Sequence, residues 1–255
     1  MLALPRYILF FFLKLATNIF YQFECRWLHS RPQGFENIKI FLLLNHTSLF
    51  EPLLVGAFPN NLLWQIAKRF VYPIADKTYK RPLVGKIFKS FAPHTISLTR
   101  KRDSSWDKFV NLTHQKNCLI GLAPEGRMKR PNGLDKNGQP MNIKGGITEL
   151  LEKIQSGKML VLYSGGLHHI QTPGSGFPKL FKKINLKFES LDINQYKDFL
   201  KNVYPDKTFA MSVITDLQAR RDFYCSDIKL KAQSLANSEF IMPGNKSDYL
   251  LPSKT

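Results

Sequence analysis

Five short apolar runs, at residues 38–44, 95–98, 118–123, 159–163 and 184–191, have the length and composition of β-strands. Helical stretches lie between several of them. Residues 53–64 open one, 81–91 a second, and 145–155 is the clearest, with Ile147, Leu150, Leu151 and Ile154 on one face. Strands that alternate with helices predict an α/β fold, a mostly parallel central sheet flanked by helices. A chain of 255 residues with 44% apolar content is large enough to bury such a sheet in one domain.

Polar residues stand where the strands end. The first run ends at Asn45 and His46, the second at Arg100, the third at Pro124 and Glu125, and the fourth at Ser164, with His168 and His169 close behind. In open α/β sheets the ligand crevice lies beyond the carboxyl ends of the strands, so these groups are expected to meet at one site. Residues 128–142, full of Gly, Pro, Asn and Lys, read as a long polar loop of the functional or mobile kind.

Upstream of the first strand, residues 5–27 (PRYILFFFLKLATNIFYQFECRW) are dominated by aromatic and aliphatic side chains. Lys14 interrupts them, and the longest unbroken apolar run, Tyr7 to Leu13, is shorter than the about 20 residues that a spanning helix needs. Lys14, Asn18 and Gln22 recur at i, i+4 and i+8, a narrow polar stripe on an apolar cylinder flanked by Arg6, Arg26 and Trp27. That is the pattern of a helix lying in a membrane interface. A helix packed on the domain and the h-region of a signal peptide are the alternatives. The expected organisation is an amphipathic, membrane-associated helix over 1–30, the α/β domain over 31–236, and a loosely ordered tail over 237–255.

The formal charge of +18, from 37 Lys+Arg against 19 Asp+Glu, implies an anionic partner. Phospholipid surfaces, phosphorylated substrates and nucleic acids all qualify. Nucleic acid is disfavoured, because the basic residues are dispersed and no recognised module or stacking motif is present. Cys25, Cys118 and Cys225 are odd in number and far apart, which supports neither a disulfide framework nor a CxxC zinc site and fits a reducing compartment.

His46 and Glu51 lie in FLLLNHTSLFEPLL, residues 41–54. Ser48 to Glu51 fits the S-x-x-E capping box, in which both would serve only a helix terminus. Pro52 weighs against it, because proline is well tolerated at the first helical position but lacks the N–H that the fourth would use. If the helix starts only at Pro52, His46 and Glu51 both sit in the strand-to-helix turn, where the carboxylate can hold one imidazole nitrogen and leave the other as a general base. On a single helix they would lie about 140° apart. The six histidines form no HExxH, and His168 and His169 lack a companion at metal-ligand spacing. Ser164, in LYSGG, lacks the first glycine of the G-x-S-x-G elbow. Neither a metal site nor a covalent nucleophile is therefore expected.

NHTSLFE, then SLTRKRD (residues 97–103) some fifty residues on, then APEGR after a buried strand and LVLYSGG on a later one, together resemble the four blocks of the glycerolipid acyltransferase superfamily, the 1-acylglycerol-3-phosphate acyltransferase type. The resemblance covers about residues 38–191. It implies transfer of a fatty acyl group from acyl-CoA or acyl-ACP to a hydroxyl of a lysophospholipid-type acceptor in phospholipid biosynthesis, with no cofactor, by a peripheral or monotopic protein on the cytoplasmic face of an anionic membrane. By position, His46 would be the base and Glu51 the carboxylate that orients and charges it. Asn45, Arg100, Glu125, Gly126 and Arg127 would bind substrate, Arg100 through the acceptor phosphate, with Gly126 allowing close approach of the chain. Glu51 stands for the commoner aspartate, Ala123 for phenylalanine and Arg127 for threonine, and the fourth block lacks its proline. The acceptor is therefore open to differ from lysophosphatidate. The same base acting on water, as in a lipid acyl hydrolase or thioesterase, and a non-catalytic membrane-binding protein remain as rival readings.

Overall fold

The computed structural model describes residues 3–80, 90, 92–99, 103–112, 117–172 and 176–225. The helix expected at 81–91, apart from Ser90, and the tail from 237 lie outside the described residues. Among the described residues seven strands form one sheet: β1 (Tyr21–Trp27), β2 (Ile38–Leu44), β3 (Phe70–Ala75), β4 (His94–Leu98), β5 (Leu119–Leu122), β6 (Lys158–Ser164) and β7 (Lys182–Asp192), in the order β1-β7-β6-β2-β5-β3-β4. From β6 to β4 every neighbouring pair is parallel. β7 runs antiparallel to β6, and β1 runs parallel to β7, which makes the sheet mostly parallel with two reversed strands at one side.

The central strand β2 is apolar throughout because both of its faces are covered. Ile40, Leu42 and Leu44 point into one core with side chains from α4 (Ser104–Asn111), α5 (Gly146–Lys153), α6 (Ile193–Val203) and α7 (Phe209–Tyr224). Phe41 and Leu43 point into the other, with α1 (Ala3–Phe20), a 3₁₀ helix (Glu51–Ala57) and α2 (Asn60–Arg69). A single helical turn, α3 (Asp76–Tyr79), follows β3 directly. With two layers of helices on one sheet, the five parallel strands deliver their carboxyl ends to one edge.

The structure departs from the sequence expectation in three places. The apolar N-terminal helix stops at Phe20, and residues 21–27 are strand β1, so Gln22 does not continue the polar stripe. Tyr21 is buried there and Trp27 stacks on Phe188 of β7 at 4.9 Å, aromatic contacts that suit a pleated strand better than a further helical turn. The helix expected over 53–64 is divided at Phe58 and Pro59. Proline disfavours the helical region for the residue before it, and Phe58 is extended, with φ −81° and ψ 137°. Strand β3, FVYPIA, was hidden by Pro73; its pairing with β5 covers only Phe70 and Val71, so the proline lies past the end of that ladder.

One buried cation joins the strands that carry the site. Arg69, at the end of α2, donates from its guanidinium to the carbonyls of Phe35 (2.7 Å) and Ile38 (2.9 Å), more weakly to Cys118 (3.4 Å), and to Gln65 Oε1 (2.8 Å). Ile38 begins β2 and Cys118 precedes β5. Replacing Arg69 with Met keeps much of the volume but leaves buried carbonyls unpaired, at about 1–3 kcal/mol for each one left without a donor. We expect Arg69→Met to lower the unfolding free energy by about 3 kcal/mol, read from the urea midpoint, and Arg69→Lys to recover only part of it because an ammonium cannot reproduce the planar fork.

Candidate active site

The chain leaves β2 through a left-handed residue, Asn45 at φ 68°, a conformation that Asn tolerates better than most side chains. The turn exposes two successive backbone N–H groups, and one carboxylate takes both. Glu125 Oε1 accepts from Asn45 N (3.0 Å) and Oε2 from His46 N (2.7 Å). Asn45 Nδ2 donates to the Ser164 carbonyl at the end of β6 (3.0 Å). The turn after β2 is thus fixed from both flanking strands.

His46 and Glu51 meet across this turn. His46 Nδ1 lies 2.5 Å from Glu51 Oε2, while Glu51 Oε1 accepts from the backbone of Thr47 (2.8 Å) and, more weakly, Ser48 (3.4 Å). Nε2 is the nitrogen left for proton transfer. The 3₁₀ helix begins at Glu51, with Phe50 rather than Ser48 at its cap position and no side-chain cap bond. Ser48 Oγ instead accepts from Phe50 N (3.1 Å) and donates to Gln171 Oε1 (2.7 Å). The two side chains face each other because they precede or open the helix.

Charge follows geometry. Burial disfavours a charged imidazole, but the charge and hydrogen bond of Glu51, with the further charge of Glu125, outweigh it and raise the His46 pKa above its ordinary 6.5. Burial raises the pKa of Glu125, opposed by the His46 N–H, Arg221, the His46 side chain and the Asn45 N–H. Tyr72 of β3 stands near enough for the charge of Glu51 to add to burial in raising its phenol.

The other expected groups fall in different surroundings. Glu125 is 2% exposed and spends its oxygens on backbone amides and on Arg221 Nη1 (3.4 Å), so it positions the His46 turn from behind. Gly126 has φ 70°, and a Cβ there would meet only Lys144 Cγ, at 3.8 Å; the left-handed turn, not a close approach, requires glycine. Arg127 is paired with Asp135, whose carboxyl is held down at about 2 chiefly by the Gln139 N–H. Arg100 lies outside the described residues; Asp103, which ends its block, caps α4 by accepting from Ser105 N.

The 128–142 segment has no helix, yet it is bonded into the site. Lys129 N donates to the His46 carbonyl (2.7 Å), and His168 Nε2 donates to the Lys129 carbonyl (2.7 Å). The groups at the ends of the first, third and fourth expected strands are therefore brought together. Arg221 and Tyr72 were not singled out from sequence. Arg221 lies some ninety residues past Glu125 on a helix with no apolar stripe, and Tyr72 sits in a strand that its proline obscured.

A family model described as Acyltransferase matches residues 22–164, more than half of the chain. Among solved structures, the 1-acyl-sn-glycerophosphate (LPA) acyltransferase PlsC from Thermotoga maritima is similar in fold, with a TM-score of 0.52 at 14% sequence identity, over 89% of this chain and 81% of that one. No curated protein matches the chain. The matched segment runs from β1 to the end of β6 and contains the His46 turn, Glu51 and Glu125, and the chain belongs to the acyltransferase family.

Proposed function

We propose that this acyltransferase moves a fatty acyl group from acyl-CoA or acyl-ACP to the hydroxyl of a lysophospholipid-type acceptor, first among them 1-acylglycerol-3-phosphate, at the cytoplasmic face of a membrane. The observation that carries the reading is the 2.5 Å contact between His46 Nδ1 and Glu51 at the carboxyl end of β2. Nε2 takes the acceptor proton as the acceptor oxygen attacks the thioester carbonyl carbon. A C–O bond forms, the tetrahedral adduct collapses with cleavage of the C–S bond, and the departing thiolate takes the proton back from the imidazolium. Glu51 stabilises that imidazolium, and Glu125 with Arg221 holds the turn in place. No covalent enzyme intermediate or cofactor is needed. Arg100 and Arg127 are assigned to the acceptor phosphate; Arg127 engages Asp135 through one of the nitrogens of a five-donor fork.

Membrane seating is supported by the way α1 is mounted. Its polar stripe faces the protein: Lys14 Nζ donates to the Phe58 carbonyl and Asn60 Oδ1 (both 2.8 Å), and Asn18 Nδ2 to the Gly56 carbonyl (3.0 Å). The face turned away from the buried Phe10 and Thr17 presents Leu4, Ile8, Phe12 (63% exposed), Leu15 and Ile19 (70% exposed) to the outside. Water is a poor partner for such a face, and a lipid interface is a good one. Cys25, Cys118 and Cys225 form no disulfide among the described residues.

His46→Ala should lower kcat/KM by about 10²–10⁴-fold without loss of the fold. Because the neutral imidazole is the base and its pKa is raised, activity should climb with pH through a limb lying above 6.5. The same shift stabilises the fold fully below pH 6.5 and fades as pH rises through the folded-state pKa. Glu51→Gln removes the opposing charge, so the limb should move to lower pH and turnover should fall; an unmoved limb would contradict the pairing. Phe12→Asp together with Ile19→Asp should release the protein from vesicles in sedimentation, each side chain contributing about 1.5–3 kcal/mol when buried. Deleting residues 1–26 is a poorer test, because it also removes most of strand β1.

A further inference from the structure

The connection from β6 to β7 carries a second apolar surface. Phe177 is 98% exposed, Phe181 75%, and Leu180 is also open, three large side chains within five residues. Phe181 has φ 56°, a left-handed conformation that is costly for an aromatic residue, and its N–H donates to the Phe20 carbonyl at the end of α1 (2.7 Å). Its ring also meets that of Phe20, centroids 6.0 Å apart. The segment therefore continues the outward apolar face of α1, where Ile19 and Phe20 are exposed.

The other limb of the same connection is tied to the catalytic turn. Leu167 N donates to Thr47 Oγ1 (2.8 Å), and Ser48 Oγ donates to Gln171 (2.7 Å). Lys179 N closes back on the Ile170 carbonyl (2.9 Å). One connection thus reaches from the residues beside His46 to the end of α1. Basic residues lie beside its exposed rings: Lys179 and Lys182 are both exposed, and Lys183 is occupied by Glu24 at 2.7 Å.

We propose that residues 176–183 form a second membrane contact beside α1, inserting Phe177 and Phe181 among the acyl chains of an anionic phospholipid surface with Lys179 and Lys182 at headgroup level. Aromatic rings with basic neighbours are the composition that binds such an interface, and a soluble protein partner would not call for continuity with α1. The contact rests on the reading of α1 as a membrane-seated helix. It adds that the bilayer is coupled, through Thr47 and Ser48, to the turn that holds the base.

The experiment uses the full chain and vesicles of phosphatidylcholine with and without phosphatidylglycerol, read by sedimentation. Phe177→Asp should weaken binding at least about tenfold. Lys179→Gln and Lys182→Gln should each weaken it about fivefold, on the anionic vesicles only. Turnover of a short-chain, water-soluble thioester and acceptor should be unchanged in Phe177→Asp, whose exposed ring touches none of the catalytic groups. Unchanged vesicle binding by Phe177→Asp overturns the proposal; if the Phe12→Asp, Ile19→Asp variant still loses binding, the helix reading survives alone. Loss on Phe177→Asp with no effect of the helix variant sinks the helix reading and, with it, the proposal of a second contact beside a membrane-seated α1. Failure of the unaltered chain to bind either vesicle ends both. Loss of self-association on Phe177→Asp with vesicle binding intact makes the patch a protein contact and also ends the proposal.

Discussion

The site depends on the pairing of Glu125 with the two backbone N–H groups that follow β2. A strand that ends in a left-handed residue turns away from its ladder and strands those donors inside the protein, where each needs an acceptor. A charged carboxylate with two oxygens satisfies both and fixes the direction in which the His46 side chain leaves the backbone. Glu51 then sets the ring through Nδ1. Glu125, from the turn after β5, fixes the backbone of His46, while Glu51, five residues along, fixes the ring, and the charges of both act against burial to raise the imidazole pKa.

The parallel sheet, and the meeting of groups at its carboxyl ends, were legible because β2, β5 and β6 are buried on both faces and announce themselves as apolar runs. β1 was not. YQFECRW follows an apolar helix without a breaker, and its identity as a strand depends on pairing with β7, some 160 residues away. Glu125 shows a different limit: sequence marks it as important but cannot say whether it faces substrate or backbone. Arg127 likewise reads as an anion-binding fork, and the loop that follows supplies Asp135 as its partner. Local chain geometry left the proximity of His46 and Glu51 conditional on a helix that starts after the turn, with a capping box as the alternative, and the 3₁₀ helix that opens at Glu51 with no side-chain cap bond brings the two together.

The orientation of α1 inverts the usual reading of an amphipathic helix. Polar residues ordinarily mark the solvent side, yet Lys14 and Asn18 turn toward the 3₁₀ helix and the start of α2, where unsatisfied carbonyls need donors. The 3₁₀ helix sits there because Pro59 ends it early. The same break that splits the segment thus creates acceptors for α1, and docking the polar stripe leaves the apolar residues outside. Burial is partial rather than absent: Phe10 and Thr17 are enclosed, so the helix is part of the domain and its outer face is what remains for lipid.

Helix α7 lies beyond the matched family segment, yet it pairs with carboxylates on β7 and in the turn after β5. Its buried residues Ser212, Val213, Asp216, Leu217, Arg220 and Arg221 keep helical spacing, but half of them are charged, which is why no apolar stripe betrays the face. Arg220 donates to both oxygens of Glu189 on β7 (2.8 Å each) and to Asp216 (2.7 Å), while Tyr163 and Tyr196 add hydroxyl donors to the two carboxylates. Arg221, the next residue, turns to Glu125 and to the Met141 carbonyl. Such buried pairs contribute little net stability against an apolar alternative, but losing one partner leaves an uncompensated charge. Adjacent arginines on a rigid helix therefore tie the reversed strand β7 and the turn after β5 to one another, and the position of the carboxylate that holds His46 becomes a property of the whole α7 layer rather than of its own loop.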